Sequence, residues 1–337
     1  MRRDTMLTRI TATLAFLATL LSTAALGIAA EYTLKMQTYY SPTTAIAAKF
    51  FAEQVEALTS GRVKIQVFTG GELVNSANIL KSVRTGMLDI GHGMGHHFTE
   101  RKSGQLESGL PMSWMSATEA EILYERRGLK RLFAEDYAKL GVVYLGPVWA
   151  ASYTTLSKKP IHSLDDMRKM KIRAVGATAR LLSALGINVV NLPPEDIYMA
   201  LTTGQIDGVV YGNPAEYKET KFYEAAGWLN ATPFLNPITD SLIVNKKLWD
   251  GLSDDIRAAF LSAAYMTRWQ YYIWSENESI QAMESIFKGK ITTFSAEDQK
   301  ILFKAAQKIW AQEGQKSPDA HEGMEILESF AKAREQL

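Results

Sequence analysis

Arg173 closes the short run Lys171-Ile172-Arg173, and a turn containing Gly176 follows it. A guanidinium stays charged at every relevant pH and offers a planar fork of donors that matches a carboxylate. At the carboxyl end of a strand in an open α/β sheet, where ligands collect, it is the chain's strongest candidate for gripping an acid; a surface arginine or an internal ion pair is the plain alternative. Asn213-Pro214 follows a second short apolar run. The Asn213 amide can donate to another ligand oxygen, with Pro214 fixing the turn, although an ordinary Asn-Pro turn explains the pair as well. Tyr211 and Tyr217 flank it and can wall the same cleft.

The remaining candidate positions are aromatic. Tyr39, Tyr40, His96, His97, Trp114, Trp149, Tyr153 and Tyr211 fall at expected strand ends or in loops. One carboxylate clamp with aromatic walls suits a monocarboxylate with an apolar or ring-bearing body, while about half of such rings are expected to fill cores instead. The spacing of His92, His96 and His97 can hold zinc on a helix, but glycines at 91, 93 and 95 oppose a helix. A strand end, with the rings scattered to opposite faces, is the better reading, so no metal site is expected. The same glycines do not make a dinucleotide fingerprint, because the third is misplaced. There is no Gly-x-Ser-x-Gly elbow or phosphate loop, and without cysteine thiol catalysis is excluded. The pairs Asp165-Asp166 and Asp254-Asp255 sit at expected helix starts, where they favour the helix dipole. No catalytic residue and no cofactor are expected.

What must position these groups is a βαβ rhythm. Residues 32–37 alternate as a strand, 43–58 have helical periodicity, 63–68 form a second strand and 89–95 a third. Residues 118–139 read as one helix and 141–145 as a buried strand. Residues 171–217 read strand, helix, strand, helix, strand. Within them IYMALTTGQIDGV (197–209) echoes ILKSVRTGMLDIG (79–91): Thr203-Gly204 and Asp207 repeat Thr85-Gly86 and Asp89. Each copy is a helix closed by Gly and a strand opened by Asp. A corner built twice implies two similar lobes, a cleft between them, and mixed, mainly parallel sheets.

The chain is expected to cross to the second lobe between residues 148 and 155 and to return near Pro237. Residues 253–288 form one long helix spanning both lobes, with Trp269, Tyr271, Tyr272 and Trp274 packing across them. Ser295 with Asp298 opens a helix ending near Gly314, and a further helix covers the tail. Residues 31–148 with part of 236–288 would make the first lobe; 149–235 and 289–337 would make the second. Short crossings without a low-complexity linker form a hinge.

Composition fits a soluble two-lobed protein: 337 residues, 47% hydrophobic, 22% charged, net charge +1. Nothing in that balance suggests a nucleic-acid partner. Arg2, Arg3 and Arg9 precede an apolar segment over 10–26 and small residues at Gly27, Ala29 and Ala30. This reads as an export signal over residues 1–30, cleaved after Ala29 or Ala30, with an uncleaved anchor as the alternative. The mature chain would need no disulfides in the periplasm and could not be lipid-anchored through an N-terminal cysteine.

Arg173 within KIRAVG, the block LPPEDIYMALTTGQIDG and Asn213-Pro214 together resemble the DctP-type solute-binding proteins of TRAP transporters. The first-lobe GGEL and ILKSVRTGMLDIG segments, and residues 155–160 followed by Ser163-Leu164-Asp165-Asp166, match the same family in the same order. The resemblance implies a type II periplasmic-binding-protein fold and a periplasmic, non-enzymatic role. It also implies capture of a small organic acid for the membrane subunits of a sodium-driven TRAP transporter. The arginine at Arg173 would grip the substrate carboxylate, the asparagine at Asn213 would help, and the cleft would close by hinge motion. A monomer is expected. Two departures stand out. Many members carry a second basic residue where this chain has Trp149-Ala150-Ala151-Ser152-Tyr153, and a 2-oxoacid-binding branch has a metal-holding Glu-Trp pair where this chain has Val210-Tyr211. A valine cannot ligate a cation. An exported enzyme on the same scaffold, or a sensory protein presenting its ligand to a receptor, are the competing readings.

Overall fold

The computed structural model describes residues 30–335; the export signal and its cleavage site lie outside them. Strands β1 (Tyr32–Thr38), β2 (Val63–Phe68), β3 (Ile90–Gly93) and β4 (Val142–Ala150) share one sheet. The second sheet holds β5 (Tyr153–Ser157), β6 (Lys171–Arg173), β7 (Asn188–Val190), β8 (Gly208–Val210) and β9 (Trp228–Leu235). Strand β10 (Ile238–Asn245) rejoins the first sheet and β11 (Ile291–Thr292) the second, giving the orders β2-β1-β3-β10-β4 and β11-β9-β5-β8-β6-β7. Both sheets are mixed. β1 runs parallel to β2 and β3, β6 runs parallel to β7 and β8, and β10 and β5 are the antiparallel members. The chain therefore changes sheet between Ala150 and Tyr153 and again between Leu235 and Ile238.

The doubled corner is the same construction in both sheets. Helix α1 (Ile79–Thr85) ends at Gly86 with φ 78°, and helix α2 (Ile197–Thr203) ends at Gly204 with φ 78°. That left-handed cap is open to glycine at little cost. In the first sheet Asp89 Oδ2 accepts from Lys35 N–H at 2.7 Å, and Asp89 N–H donates to Lys35 O at 3.0 Å. In the second, Asp207 Oδ2 accepts from Lys171 N–H at 2.9 Å and Asp207 N–H donates to Lys171 O at 2.8 Å. The repeated aspartate thus clamps a lysine backbone of the neighbouring strand in each lobe.

Helix α3 (Asp254–Ser285) leaves the first lobe and leads to β11 in the second. Its aromatics do not bridge the lobes as expected. Trp269 packs on Trp149, with ring centroids 5.2 Å apart, and Tyr271 packs on Tyr40 at 6.3 Å, all on the first-lobe side. Contact with the second lobe runs instead through Ser275, Ser279 and a Lys218–Glu278 ion pair at 3.5 Å. Ser275 Oγ lies 3.4 Å from Asn213 Nδ2 and Ser279 Oγ 3.4 Å from Asn213 Oδ1.

Two other expectations change. Residues 118–139 are not one helix: Ala117–Glu121 gives way to a π-turn at Ile122–Arg126, and Gly128 at φ 101° separates that from Leu129–Lys139. The C-terminal segment does not belong wholly to the second lobe. Helix α4 (Ala296–Gly314), capped by Ser295 as expected, packs on the second-lobe helix Gly176–Ala184. Helix α5 (Pro318–Glu335) packs instead on Leu129–Lys139 of the first. Gly323 permits that approach, because a Cβ there would lie 2.2 Å from Leu106, and Lys139–Asp319 and Arg334–Glu119 ion pairs at 2.6 and 2.8 Å border it.

Candidate functional site

Between the two sheets lies a cavity of about 790 Å³. Its first-lobe wall is built at the carboxyl ends of β1 and β3, from Tyr39, Tyr40, Met94, His96 and His97. Its second-lobe wall comes from Tyr153 at the start of β5, Arg173 at the end of β6, and Tyr211 and Glu216 beyond β8.

Arg173 is 4% exposed. Nε and Nη2 donate to Leu192 O at 3.0 and 2.9 Å, and Nη1 to Val210 O at 3.4 Å. These carbonyls at the ends of adjacent chain segments fix the plane of the guanidinium. They leave one N–H on each terminal nitrogen without a partner among the described residues. Burial lowers the group's pKa from its ordinary value, opposed by the phenols of Tyr153, Tyr211 and Tyr217. The other deeply buried arginines are treated differently. Arg101 meets Glu107 and Asp136, and Arg268 meets Glu121 and Glu125. No carboxylate pairs with Arg173 among the described residues. A buried cation held only by dipoles is costly unless an anion arrives.

His96 stands near Arg173 from the opposite lobe. Its Nδ1 is 3.1 Å from Ser108 Oγ, and burial, with His97 and Arg173 nearby, pushes its pKa down to about 3. It is therefore a neutral imidazole beside the arginine, a donor or acceptor and not a second charge. His97 Nδ1 is buried with no hydrogen-bond partner among the described residues, and burial lowers this ring's pKa also. Tyr39 donates to Asp240 Oδ1 at 2.9 Å and packs edge-on against His97. Behind it, Asp240 Oδ2 lies 3.3 Å from His92 Nε2, whose Nδ1 faces Thr38 Oγ1 at 3.0 Å. This buried chain sets the Tyr39 ring without reaching into the cavity. His92 is thus apart from His96 and His97. Among the described residues no cluster of three or more His, Cys, Asp or Glu is arranged to hold a metal ion, and no helix is long and apolar enough to cross a membrane.

The cavity therefore brings together Arg173, Tyr39, Tyr40, His96 and Tyr211 from the sequence-derived candidates. It does not include Trp149, Tyr217 or Asn213. Trp149 is a core residue between Tyr124, Trp269 and the Arg268 guanidinium, because its position on β4 faces the first-lobe helices. Tyr217 is buried under β8, its hydroxyl donating to Thr154 O at 2.7 Å. Asn213 caps the helix Pro214–Glu219: its Oδ1 accepts from Glu216 N–H at 3.0 Å, and its amide nitrogen faces Ser275. Sequence reasoning missed Glu216 and Gln105. Glu216 sits at the third position of that helix, where a glutamate reads as half of a capping box and nothing more. Gln105 lies in a short first-lobe helix with no pattern to mark it, yet its Oε1 meets Gly176 across the cleft.

Comparison with known proteins adds an independent line. Residues 37–316 match the family model described as bacterial extracellular solute-binding protein, family 7. The monocarboxylate 2-oxoacid-binding periplasmic protein of Nostoc sp. is 28% identical over 279 residues, 79% of this chain and 73% of that one. The sialic acid-binding periplasmic protein SiaP of Vibrio cholerae is 26% identical over 256 residues, 71% of this chain and 75% of that one. Among solved structures, a TRAP periplasmic solute binding protein from Chromohalobacter salexigens with bound (S)-(+)-2-amino-1-propanol superposes with a TM-score of 0.81 at 20% identity, covering 91% of this chain and 97% of that one. A TRAP transporter solute binding protein from Bordetella bronchiseptica with calcium and picolinate gives 0.80 at 23% identity, covering 90% and 93%.

Proposed function

The chain belongs to family 7 of the bacterial extracellular solute-binding proteins, the DctP family of TRAP transporters, and from that premise we propose that it captures an organic acid in the cleft through Arg173 and presents it to the transporter's membrane subunits. The family and fold are those of binding proteins rather than enzymes. In this reading the leader is removed near Ala29 or Ala30 and the mature protein works in the periplasm. Residues 31–150 with part of 236–288 move as one lobe, and 153–235 with part of the C-terminal segment as the other. Closure is driven by contacts that the ligand gains from both walls only when they meet.

The observation that carries the proposal is a buried arginine with two N–H groups that meet no partner among the described residues, facing a cavity walled by tyrosines. The ligand is a monocarboxylate with an apolar or aromatic body. Among the described residues only one guanidinium and no lysine line the cavity, and His96 is neutral, so a second carboxylate meets no cation there. Val210-Tyr211 supplies no metal-binding carboxylate next to Arg173, which supports direct contact between acid and guanidinium.

The test is titration calorimetry with aromatic and branched monocarboxylates against C4 dicarboxylates, on the wild type and Arg173→Ala. Binding of the monocarboxylates should weaken at least about 30-fold on losing the arginine, the scale for truncating one partner of a buried charge pair. Unchanged affinity, or preference for the dicarboxylates, would overturn the assignment.

A further inference from the structure

Among the described residues, Glu216 and, near the edge, Glu219 are the acids that line the same cavity as Arg173, and the surroundings of Glu216 are the reverse of the arginine's. Its Oε2 accepts from Asn213 N–H at 3.2 Å and packs over Gly212, where a Cβ would lie 1.6 Å away. Its Oε1 has no hydrogen-bond partner among the described residues. Among the described residues no lysine or arginine pairs with it, whereas Glu107, buried elsewhere, meets Arg101, and Glu313 meets Arg180 and Lys316. Around it stand Asp240 and the phenols of Tyr39, Tyr40, Tyr153 and Tyr271. The cavity is thus negative at one end, and at the other it holds Arg173 beside a neutral His96.

The two charges do not neutralise each other, since no ion pair joins Arg173 to Glu216. Tyr153, on the same cavity wall, feels both. A capping box accounts for Oε2 but not for Oε1, nor for placing the carboxyl where burial raises its pKa to about 7. A buried cation without a counter-ion and a half-buried carboxylate without one, facing the same cavity, are each costly when left unpaired. One molecule carrying the opposite pair of charges relieves both.

We propose that the cleft takes an amino-carboxylate, its carboxylate on Arg173 and its protonated nitrogen on Glu216, with the tyrosine faces covering the body between. This rests on the carboxylate clamp proposed above and narrows its substrate class. The tyrosines serve the cationic end as well, because an aromatic face attracts a desolvated ammonium.

The experiment is a paired panel, read by thermal shift and calorimetry. Each ω-amino acid, whose two charges lie at opposite ends of its body, is set beside the acid that lacks its nitrogen: 4-aminobutanoate with butanoate, 5-aminopentanoate with pentanoate, 4-(aminomethyl)benzoate with 4-methylbenzoate. In the wild type the nitrogen-bearing member of a pair should bind about tenfold or more tighter, the scale of a buried charge pair. Glu216→Gln, which keeps the shape and the cap, should remove that preference, while Arg173→Ala should abolish binding of both members. Equal or tighter binding of the nitrogen-free acids, still dependent on Arg173, overturns this inference and leaves the clamp standing. So does a nitrogen preference that survives Glu216→Gln. Failure of every acid in both series to bind overturns the clamp and this inference together. The pairwise comparison in the wild type does not depend on either variant folding.

Discussion

The backbone N–H of Ala151 donates to Ser275 Oγ at 2.9 Å. Ala151 lies where the chain leaves the first sheet, and Ser275 lies on helix α3, which also touches Asn213 of the second lobe. One hydroxyl therefore ties a crossing segment to the long helix and to the end of β8. Asn213, expected at the ligand, instead meets the long helix beside this crossing. Ser275→Ala should leave the buried Ala151 N–H unpaired and lower stability by about 1–3 kcal/mol. Urea denaturation measures this directly. A midpoint unchanged from the wild type would mean that the crossing is not held there.

Arg173→Lys separates charge from shape. A lysine keeps the positive charge but cannot hold Leu192 O and Val210 O while still presenting two N–H groups to a ligand. Carboxylate affinity should fall about tenfold or more, with most of the loss in a faster off-rate. Stopped-flow dissociation against the wild type checks it, and an unchanged off-rate would show that charge alone suffices.

Gly176 meets Gln105 across the cleft. It has φ 58°, and a Cβ there would lie 2.7 Å from Gln105 Oε1. Gly176→Ala should cost about 1–2 kcal/mol of stability from the left-handed backbone, and should also weaken ligand binding by obstructing closure. Adding Gln105→Ala separates the two effects. Affinity should recover while the denaturation midpoint stays low. Failure of affinity to recover would place the defect in the turn itself.

The parts of the fold that repeat were the legible ones. Gly86 with Asp89 and Gly204 with Asp207 mark the same helix end and strand start twice, because only glycine caps there cheaply and only a short acceptor reaches the neighbouring N–H. Arg173 was legible because a charged residue closing a short apolar strand must be explained. Trp149 and Tyr217 misled because residue type does not say which face of a strand or helix a ring takes; both turn into cores. Helix α5 was unreadable as a first-lobe element, since its docking depends on the absent side chain of Gly323. Glu216 was hidden by a local motif that fully explains its type while saying nothing of the cavity its second oxygen faces.

Tyr217→Phe tests that corrected placement. Its hydroxyl donates to Thr154 O and also accepts from Tyr211 N–H at 3.4 Å. Removing it should lower stability by about 1 kcal/mol and leave ligand affinity within about twofold of the wild type, a change well below 1 kcal/mol. A larger loss of affinity than of stability would return Tyr217 to the binding wall.

Glu216 gives the protein a pH signature with a definite sign. Its carboxyl rises from an ordinary 4.5 to about 7, through burial first and then Asp240, with the Asn213 N–H pulling the other way. The groups facing it are Asp240 on β10, Tyr39 and Tyr40 after β1, Tyr153 on β5, Tyr217 on its own helix and Tyr271 on α3; the tyrosines are uncharged in this range, their pKa values raised by burial. A carboxyl whose folded pKa lies above its unfolded value binds more protons when folded. Its penalty is absent below about pH 4.5, grows as pH climbs toward 7, and is constant beyond. The unliganded wild type should therefore lose stability relative to Glu216→Gln across that window, by on the order of 1–3 kcal/mol after allowing for its partial access to solvent. Denaturation of both proteins at pH 5 and pH 8 reads the difference. A nitrogen-bearing ligand reverses the trend, because it prefers the ionised carboxylate, so its affinity should rise over the same interval in which the empty protein weakens. Stability and affinity that both fall with rising pH would mean that the carboxylate meets no cation when the cleft is filled.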